Sequence, residues 1–383
     1  MKTKLLSIIL TLVLMFKMSS GALSVTTDVA VSPTVSAQTA VLLCANNCQV
    51  LFDKDSNKQM KPASTTKIMT ALLALEQSAS NNIDIEFTHD MIAEGSSMGL
   101  KVGDIVDLRS LALGMMLVSG NDSANTIAIG TCGSIEDFAK RMNIRAKQIG
   151  MQNTNFTNPS GLDDAEHYTT AYDMALLMAY AMENPDFADV TSKKTATINF
   201  VYPYDKKATY TNHNKLLSLY EYTVGGKTGF TKASGRTLVS VAIKDGVTLV
   251  AVTMNDGDDW NDHIKLFEYG FSKLENYVVD DTTQKFTISV NGAGDDITSV
   301  GLSAKFRADV VVNKGDASRI KREVIIPDCI DAPVNTYASY GIIKYTLDGE
   351  QIACVPLFAD KNIPKHKTTI FEKIYKFLNS RIA

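Results

Sequence analysis

Residues 38–276 carry strand-like segments at both ends and helix-like segments between them, which leaves few folds open. Residues 39–43 and 50–52 read as short strands around an Asn46-Asn47 turn. From Tyr222 onward the apolar period becomes two, and residues 222–228, 237–243 and 247–254 read as strands. Asp245-Gly246 between the last two is a hairpin signal. In the middle, apolar residues at Ile68, Leu72 and Leu75, and at Met69 and Leu73, repeat at helical spacing over a wide arc. A helix with so wide an apolar arc is buried on most sides. Residues 108–118, 173–182 and 260–274 read as further helices. The expectation is an α+β fold, with one antiparallel sheet built from both ends of the domain and covered by helices.

Past Tyr277 the pattern changes to short strands at 285–290, 305–312, 322–326, 341–347 and 351–356, separated by Gly, Asp and Asn. This reads as a small all-β sandwich over residues 277–358, with no cluster of titratable residues that suggests catalysis. The two ends of the chain have their own logic. Lys2 and Lys4 precede an apolar run from 5 to 16, too short for a comfortable membrane span, so the start reads as an export signal. A cut after Ala37, within Val35-Ser36-Ala37, fits the small-x-small rule, although Ala22 and Ser24 lie nearer the apolar run. Residues 1–37 are taken as the leader, which places the protein at the outer face of the cytoplasmic membrane. At the other end, Ile370, Ile374 and Leu378, with Phe371, Tyr375, Phe377 and Ile382, fall on one side of a helix whose opposite side carries lysines. Residues 359–383 therefore read as a basic amphipathic helix lying in a membrane interface.

Of 383 residues, 45% are hydrophobic and 21% charged, which excludes disorder and a multi-span membrane protein. The net charge is −4 although the last 23 residues are strongly basic, so the body is acidic and nucleic acid is excluded as a partner. Cys44 and Cys48 flank the first turn in a C-x3-C spacing with no histidine nearby, a poor zinc site; no metal or organic cofactor is expected. In an oxidising compartment these two are placed to bridge the hairpin. Cys329 and Cys354 either pair or remain as buried thiols, and the odd count leaves Cys132 unpaired.

Three polar strings carry the chemistry: Ser64-Thr65-Thr66-Lys67, Ser119-Gly120-Asn121 and Lys227-Thr228-Gly229, starting 55 and then 108 residues apart. A serine hydroxyl is a poor nucleophile without a base beside it. Ser64 and Lys67, three apart at the start of a helix, share one face, and the helix N-terminus offers unpaired N–H groups to a developing oxyanion. Lys67 serves as base only when neutral; burial and a second cation, Lys227, both push in that direction. Ser119-Gly120-Asn121 follows a buried helix, where a tight turn can aim two polar side chains into a cleft, with Gly120 as the helix cap. Lys227-Thr228-Gly229 ends a strand, where glycines let an extended ligand add itself to the strand edge. Thr228 and Lys227 then offer a hydroxyl and a charge to a carboxylate.

Together, in this order and spacing, the three strings resemble those of penicillin-binding proteins and related β-lactamases. Similarity is greatest to the low-molecular-mass D-alanyl-D-alanine carboxypeptidases, and it spans the catalytic domain, the β domain and the amphipathic tail. The resemblance implies a β-lactamase/transpeptidase-like sheet and removal of the terminal D-alanine from peptidoglycan pentapeptide stems through an acyl-enzyme on Ser64. It implies β-lactams as covalent inhibitors of the same serine. It also makes Lys67 the general base, Ser119 a proton relay, Asn121 a partner of both acyl substrate and lysine, and the Phe230 N–H the second oxyanion donor. Segments 158–163, 167–173 and 226–235 share the likeness, with Asp163 and His167 read as fixing a loop. Some relatives place an arginine near 256–263 for the substrate carboxylate; this chain has none there, and Arg236 on the neighbouring strand is the substitute considered. A β-lactamase is the first alternative, weakened because the surroundings of Glu166 do not match the deacylating glutamate of those enzymes. A non-catalytic sensor is the second.

Overall fold

The computed structural model describes residues 32–294 and 297–366, so most of the expected leader and most of the expected tail helix lie outside the described residues. The catalytic part opens with strands β1 (Thr39–Cys44) and β2 (Gln49–Lys54), then helix α1 (Lys67–Ser80). A two-stranded ribbon, β3 (Asp84–Glu86) with β4 (Ile105–Asp107), precedes α2 (Leu108–Val118), α3 (Asn121–Cys132), α4 (Ile135–Ile149), α5 (Ala171–Met182) and α6 (Pro185–Ser192). After the hairpin β5 (Thr195–Asn199) and β6 (Lys207–Thr211) and the short α7 (Leu216–Leu219) come β7 (Thr223–Thr231), β8 (Gly235–Lys244), β9 (Val247–Met254) and α8 (Asp259–Lys273).

The main sheet is antiparallel in the order β2-β1-β9-β8-β7, so the first and last strands of the catalytic part meet at β1 and β9. Alternation along the strands explains the layers. Val41, Leu43, Val239, Val241, Val250 and Val252 face the helical side, packing with α1, α2 and α5. Leu42, Leu238, Leu249 and Ala251 face the other side, against Leu266, Phe267 and Phe271 of α8. Every residue of α1 from Lys67 to Leu75 is buried, as the wide apolar arc demanded. Asp245 and Gly246 both take positive φ, 50° and 81°, the two-residue hairpin geometry expected of that pair.

Strand β10 (Leu274–Val279) leaves α8 directly and carries the chain into the second part. There β11 (Phe286–Asn291), β12 (Ser299–Ala304), β13 (Ala308–Asn313), β14 (Lys321–Ile325), β15 (Cys329–Asp331), β16 (Ser339–Leu347) and β17 (Glu350–Ala359) follow. Six of them form a sheet in the order β14-β16-β17-β12-β11-β15, while β13 pairs with β10. The strand expected over 305–312 starts later, as β13 at Ala308 after a turn at 305–307, and β12 ahead of that turn was not expected from sequence. The tail helix expected from 359 is corrected over its described part: residues 359–366 are not helical, since β17 runs to Ala359 and Ile363 bridges Val334 in the β domain.

The cysteine expectations also change. All five are free thiols. Cys44 points into the core beneath α8, whereas Cys48 sits exposed in the turn with φ of 59°, so the pair is not bridged. Cys329 and Cys354 are exposed rather than buried. They lie on strands three places apart in the sheet, roughly 14 Å at the usual strand spacing, well beyond disulfide reach.

Residues 35–37, assigned to the leader from sequence, pack into the folded body. Val35 and Ala37 are buried in the core under α8, and the Ser36 N–H donates to Asp262 at 2.5 Å while its hydroxyl donates to Asp256. Lys54 Nζ adds a bond to the Val35 carbonyl at 2.9 Å. Starting the chain at Gln38 would expose this apolar surface and remove one partner from each of two carboxylates, leaving Asp256 with the Asp258 N–H and Asp262 with Lys265. Urea unfolding of such a truncated chain is expected to show a loss of about 2–4 kcal/mol relative to one starting at Ser32; equal midpoints would contradict the role given to these residues.

Candidate active site

The nucleophile lies in a 3-10 turn, Ala63–Thr66, that runs into α1, so Ser64 stands one turn ahead of Lys67 at the mouth of a buried helix. Ala63 takes a left-handed φ of 48°, a strained conformation for alanine. Thr237 on β8 fixes the turn by donating to the Pro62 carbonyl at 3.1 Å.

Lys67 is fully buried, and its Nζ lies 3.0 Å from Ser64 Oγ, 2.7 Å from Asn121 Oδ1 and 2.6 Å from the Ser160 carbonyl. Burial pushes its pKa well down; the charge of Lys227 pushes the same way and Asp122 opposes it. A neutral amine has two N–H donors and one lone pair. The two carbonyl oxygens take the donors, and the lone pair is left for the Ser64 hydroxyl.

Asn121, the first residue of α3, has its amide oriented by a bond from Nδ2 to the Glu94 carbonyl at 2.6 Å, so Oδ1 faces Lys67. The next residue, Asp122, is buried and accepts from Ser97 Oγ, Met98 N, Gly99 N and Leu100 N at 2.6–3.1 Å. It pins the 97–100 loop to the start of α3. The expected glycine cap is corrected here: Ser119 itself takes the left-handed position at the end of α2, with φ of 62°, and Gly120 instead caps the N-terminus of α3. The left-handed turn aims the Ser119 hydroxyl at Lys227, whose Nζ donates to it at 3.0 Å. Lys227 is buried on β7, and burial lowers its pKa to about 7.

β7 is an edge strand, and it lies hard against the nucleophile turn. A Cβ on Gly229 would stand 2.3 Å from Thr237 Oγ1 and 3.0 Å from the Ser64 backbone N, so only glycine lets the strand approach this closely. Ser64, Ser119, Thr228, Gly229, Phe230 and Arg236 all line one cleft of about 500 Å³. Arg236 stands at its rim, its Nε and Nη2 donating to the Asp259 carboxylate at 3.1 and 2.5 Å and its guanidinium 5.6 Å from the Trp260 ring centre.

Ser96, His213, Asp259 and Trp260 also line the cleft and were not singled out from sequence, because nothing in their spacing marks them. Ser160 was missed because it contributes a carbonyl and no side-chain chemistry. The Asn158-Pro159-Ser160-Gly161 turn was the available signal. Gly161, at φ of 84°, sits so close to the nucleophile turn that a Cβ would fall 1.8 Å from the Ala63 carbonyl oxygen. His167 ties this loop down as expected. Its Nδ1 accepts from the Thr157 N–H at 3.0 Å, which leaves Nε2–H to donate to Thr66 Oγ1 at 2.9 Å. Burial lowers its pKa to about 4 and keeps it neutral in that tautomer. Asp163 accepts from Thr231 Oγ1 at 3.0 Å, joining the loop to β7. Among the described residues no group of three or more His, Cys, Asp or Glu side chains is arranged to hold a metal ion.

A serine beside a buried, deprotonatable lysine, with a second serine–lysine pair facing it, defines a serine acyl-transfer enzyme. Residues 26–258 match the D-alanyl-D-alanine carboxypeptidase family model and residues 276–365 that of the penicillin-binding protein 5 C-terminal domain. The chain is 30% identical over 342 residues to D-alanyl-D-alanine carboxypeptidase DacF of Bacillus subtilis, covering 86% of each. It is 30% identical over 361 residues to D-alanyl-D-alanine carboxypeptidase DacA of Haemophilus influenzae, covering 90% of this chain and 89% of the relative. The solved structure of penicillin binding protein 5 from Haemophilus influenzae superposes with a TM-score of 0.67 at 27% identity, covering 88% of this chain and all of that one. The chain belongs to the D-alanyl-D-alanine carboxypeptidase family and is a serine DD-carboxypeptidase.

Because Gly161 abuts the nucleophile turn, Gly161→Ala is expected to lower stability by about 2–4 kcal/mol and acylation of Ser64 by at least about tenfold. Urea unfolding and labelling with a fluorescent penicillin measure the two; wild-type values for both would contradict the packing described.

Proposed function

We propose that this enzyme is exported and removes the terminal D-alanine from peptidoglycan pentapeptide stems through an acyl-enzyme on Ser64. The observation that carries this reading is the position of the buried Lys67 amine, 3.0 Å from Ser64 Oγ and anchored on its other side by two carbonyl oxygens. An extended peptide end lies along β7, with its terminal carboxylate toward Thr228 and Lys227 and Arg236 at the rim. Lys67 takes the Ser64 proton as Oγ attacks the penultimate carbonyl. The oxyanion falls between the backbone N–H groups of Ser64 and Phe230. Collapse of the tetrahedral adduct expels D-alanine, whose amine takes a proton through Ser119 from the lysine pair. Water then enters, gives up a proton to the same lysine and releases the shortened stem. A β-lactam presents a strained amide carbonyl and a carboxylate to the same groups, and after ring opening its leaving amine stays tethered in the cleft and obstructs water.

Glu166 is exposed and does not line the cleft, which favours slow release of a β-lactam over the turnover of a β-lactamase. Export rests on the sequence of the first residues. The packing of residues 35–37 and a family match that begins at residue 26 support a leader that ends upstream of Ser32. Contact of the basic tail with the membrane surface is part of the same proposal.

Release of free D-alanine from a diacyl-Lys-D-Ala-D-Ala peptide tests the activity. Wild-type protein is expected to release it, Lys67→Ala to do so about 10²–10⁴-fold more slowly, and Ser64→Ala not at all. Stoichiometric penicillin labelling of Ser64→Ala would refute the nucleophile assignment, and penicillin labelling of the wild type without D-alanine release would favour the sensor.

A further inference from the structure

The guanidinium at the rim of the cleft is already held by a carboxylate of the protein itself. Arg236, on β8, pairs across the sheet with Phe230 on the edge strand β7. Cross-strand partners share a face, and so do residues two apart on one strand, so Arg236, Phe230 and Thr228 project on the same side of the sheet. Thr228 is the diagonal neighbour of Arg236, at roughly 7–8 Å, within reach of a long side chain. All three line the cleft that holds Ser64 and Ser119. His213 lines it too, but burial and the charge of Lys227 push its pKa below the usual imidazole value, and burial brings Lys227 itself to about 7. A guanidinium keeps its charge throughout, so a carboxylate entering the cleft above neutral pH finds its lasting cation at Arg236.

The segment 256–263 holds no arginine or lysine; it contributes Asp259 and Trp260, and both turn to Arg236. Asp259 is the first residue of α8 and is 3% exposed. Its Oδ1 accepts the Trp260 N–H at 2.9 Å and Arg236 Nη2 at 2.5 Å, and its Oδ2 accepts Arg236 Nε at 3.1 Å. A buried carboxylate tied to its own helix start is a fixed post, so it decides where the guanidinium lies. The Trp260 ring, 5.6 Å away, adds a second contact. Without this clamp, an arginine side chain 45% exposed would sample many rotamers. The clamp takes only the Nε–Nη2 edge. Of the five N–H donors, both on Nη1 and one on Nη2 remain for a second carboxylate.

Resting on the reading of the cleft given above, we propose that Asp259 is a positioning residue for the terminal carboxylate of the substrate: it holds Arg236 by one edge so that the Nη1–Nη2 edge, with Thr228, receives that carboxylate. The clamp then selects for a free C-terminus over one that is esterified or continues into further residues. Asp259 also lays a negative charge beside the site, so its two effects on a carboxylate ligand have opposite signs. Orientation tightens binding and charge loosens it. The two-point hold from an immobile carboxylate makes orientation the larger effect.

Acylation of the purified full chain by benzylpenicillin, a free carboxylate, and by its methyl ester reads the site directly. Arg236→Ala is expected to lower the ratio of free-acid to ester acylation rate constants by about tenfold or more, and Asp259→Ala by about three- to tenfold. The double variant is expected to match Arg236→Ala alone, since Asp259 acts through the guanidinium. Acylation by the ester also shows that each variant folds around a reactive Ser64. A ratio that rises in Asp259→Ala would make the aspartate a competitor for Arg236 and overturn the proposal. Additive losses in the double variant, or a wild-type ratio in Arg236→Ala, would overturn it too. Because acylation does not depend on D-alanine release, the expected ratios in a chain that releases no D-alanine would sink the carboxypeptidase reading and leave the clamp standing.

Discussion

A primary amine at the first turn of α1, shut away from water and required to lose its proton, sets the terms for everything around it. Lys67 keeps its lone pair for Ser64 only because Asn121 Oδ1 and the Ser160 carbonyl occupy its two N–H donors. Those two acceptors come from α3 and from the 158–163 loop, so the base is oriented by elements about 40 residues apart in the chain. Lys227 adds a second depressed amine across the cleft. Burying an amine in this way opposes stability. The unfolded chain binds a proton at Lys67 that the folded chain does not, over the window from its depressed pKa up to the ordinary lysine value, so this group makes stability rise with pH there.

The surrounding scaffold supplies what that arrangement costs. The sheet joins β1 from the start of the domain to β9 from its end, which clamps α1 between the sheet and the remaining helices. Two non-glycine residues in left-handed conformations, Ala63 and Ser119, sit at the two serine motifs. Each is over-determined by its neighbours: Ala63 by the Pro62–Thr237 bond and the contact with Gly161, Ser119 by the ends of two buried helices. Strain at these positions lies where it turns a hydroxyl toward a lysine.

Much of this was legible in the sequence because its signals were local. The period-two strands 237–243 and 247–254, the Asp245-Gly246 turn and the wide apolar arc of α1 each depend on side chains within a few residues. The three motifs were legible as chemistry because each lies within four residues. What escaped was contributed by backbone or by distant pairing. Ser160 acts through a carbonyl, Asp259 matters through its hold on Arg236, and the short β10 was hidden by running straight on from α8. Val35-Ser36-Ala37 is a related case: it satisfies a small-x-small pattern in sequence, while the fold pairs Ser36 with two carboxylates from a distant segment. The Cys329–Cys354 pair failed on sheet order, which spacing does not encode, and Cys44–Cys48 failed because Cys44 turns into the core.

The protonation state of Lys67 tests the central claim most directly. With lysine labelled at 13Cε, and the Lys67 resonance assigned by comparison with Lys67→Arg, its chemical shift can be followed through a pH titration of the folded enzyme. A midpoint well below that of an ordinary lysine is expected, with the Ser64 side free to be deprotonated near neutral pH. A Lys67 midpoint at the ordinary value of about 10.4 would mean that the amine is charged when the enzyme works, and that it is not the base.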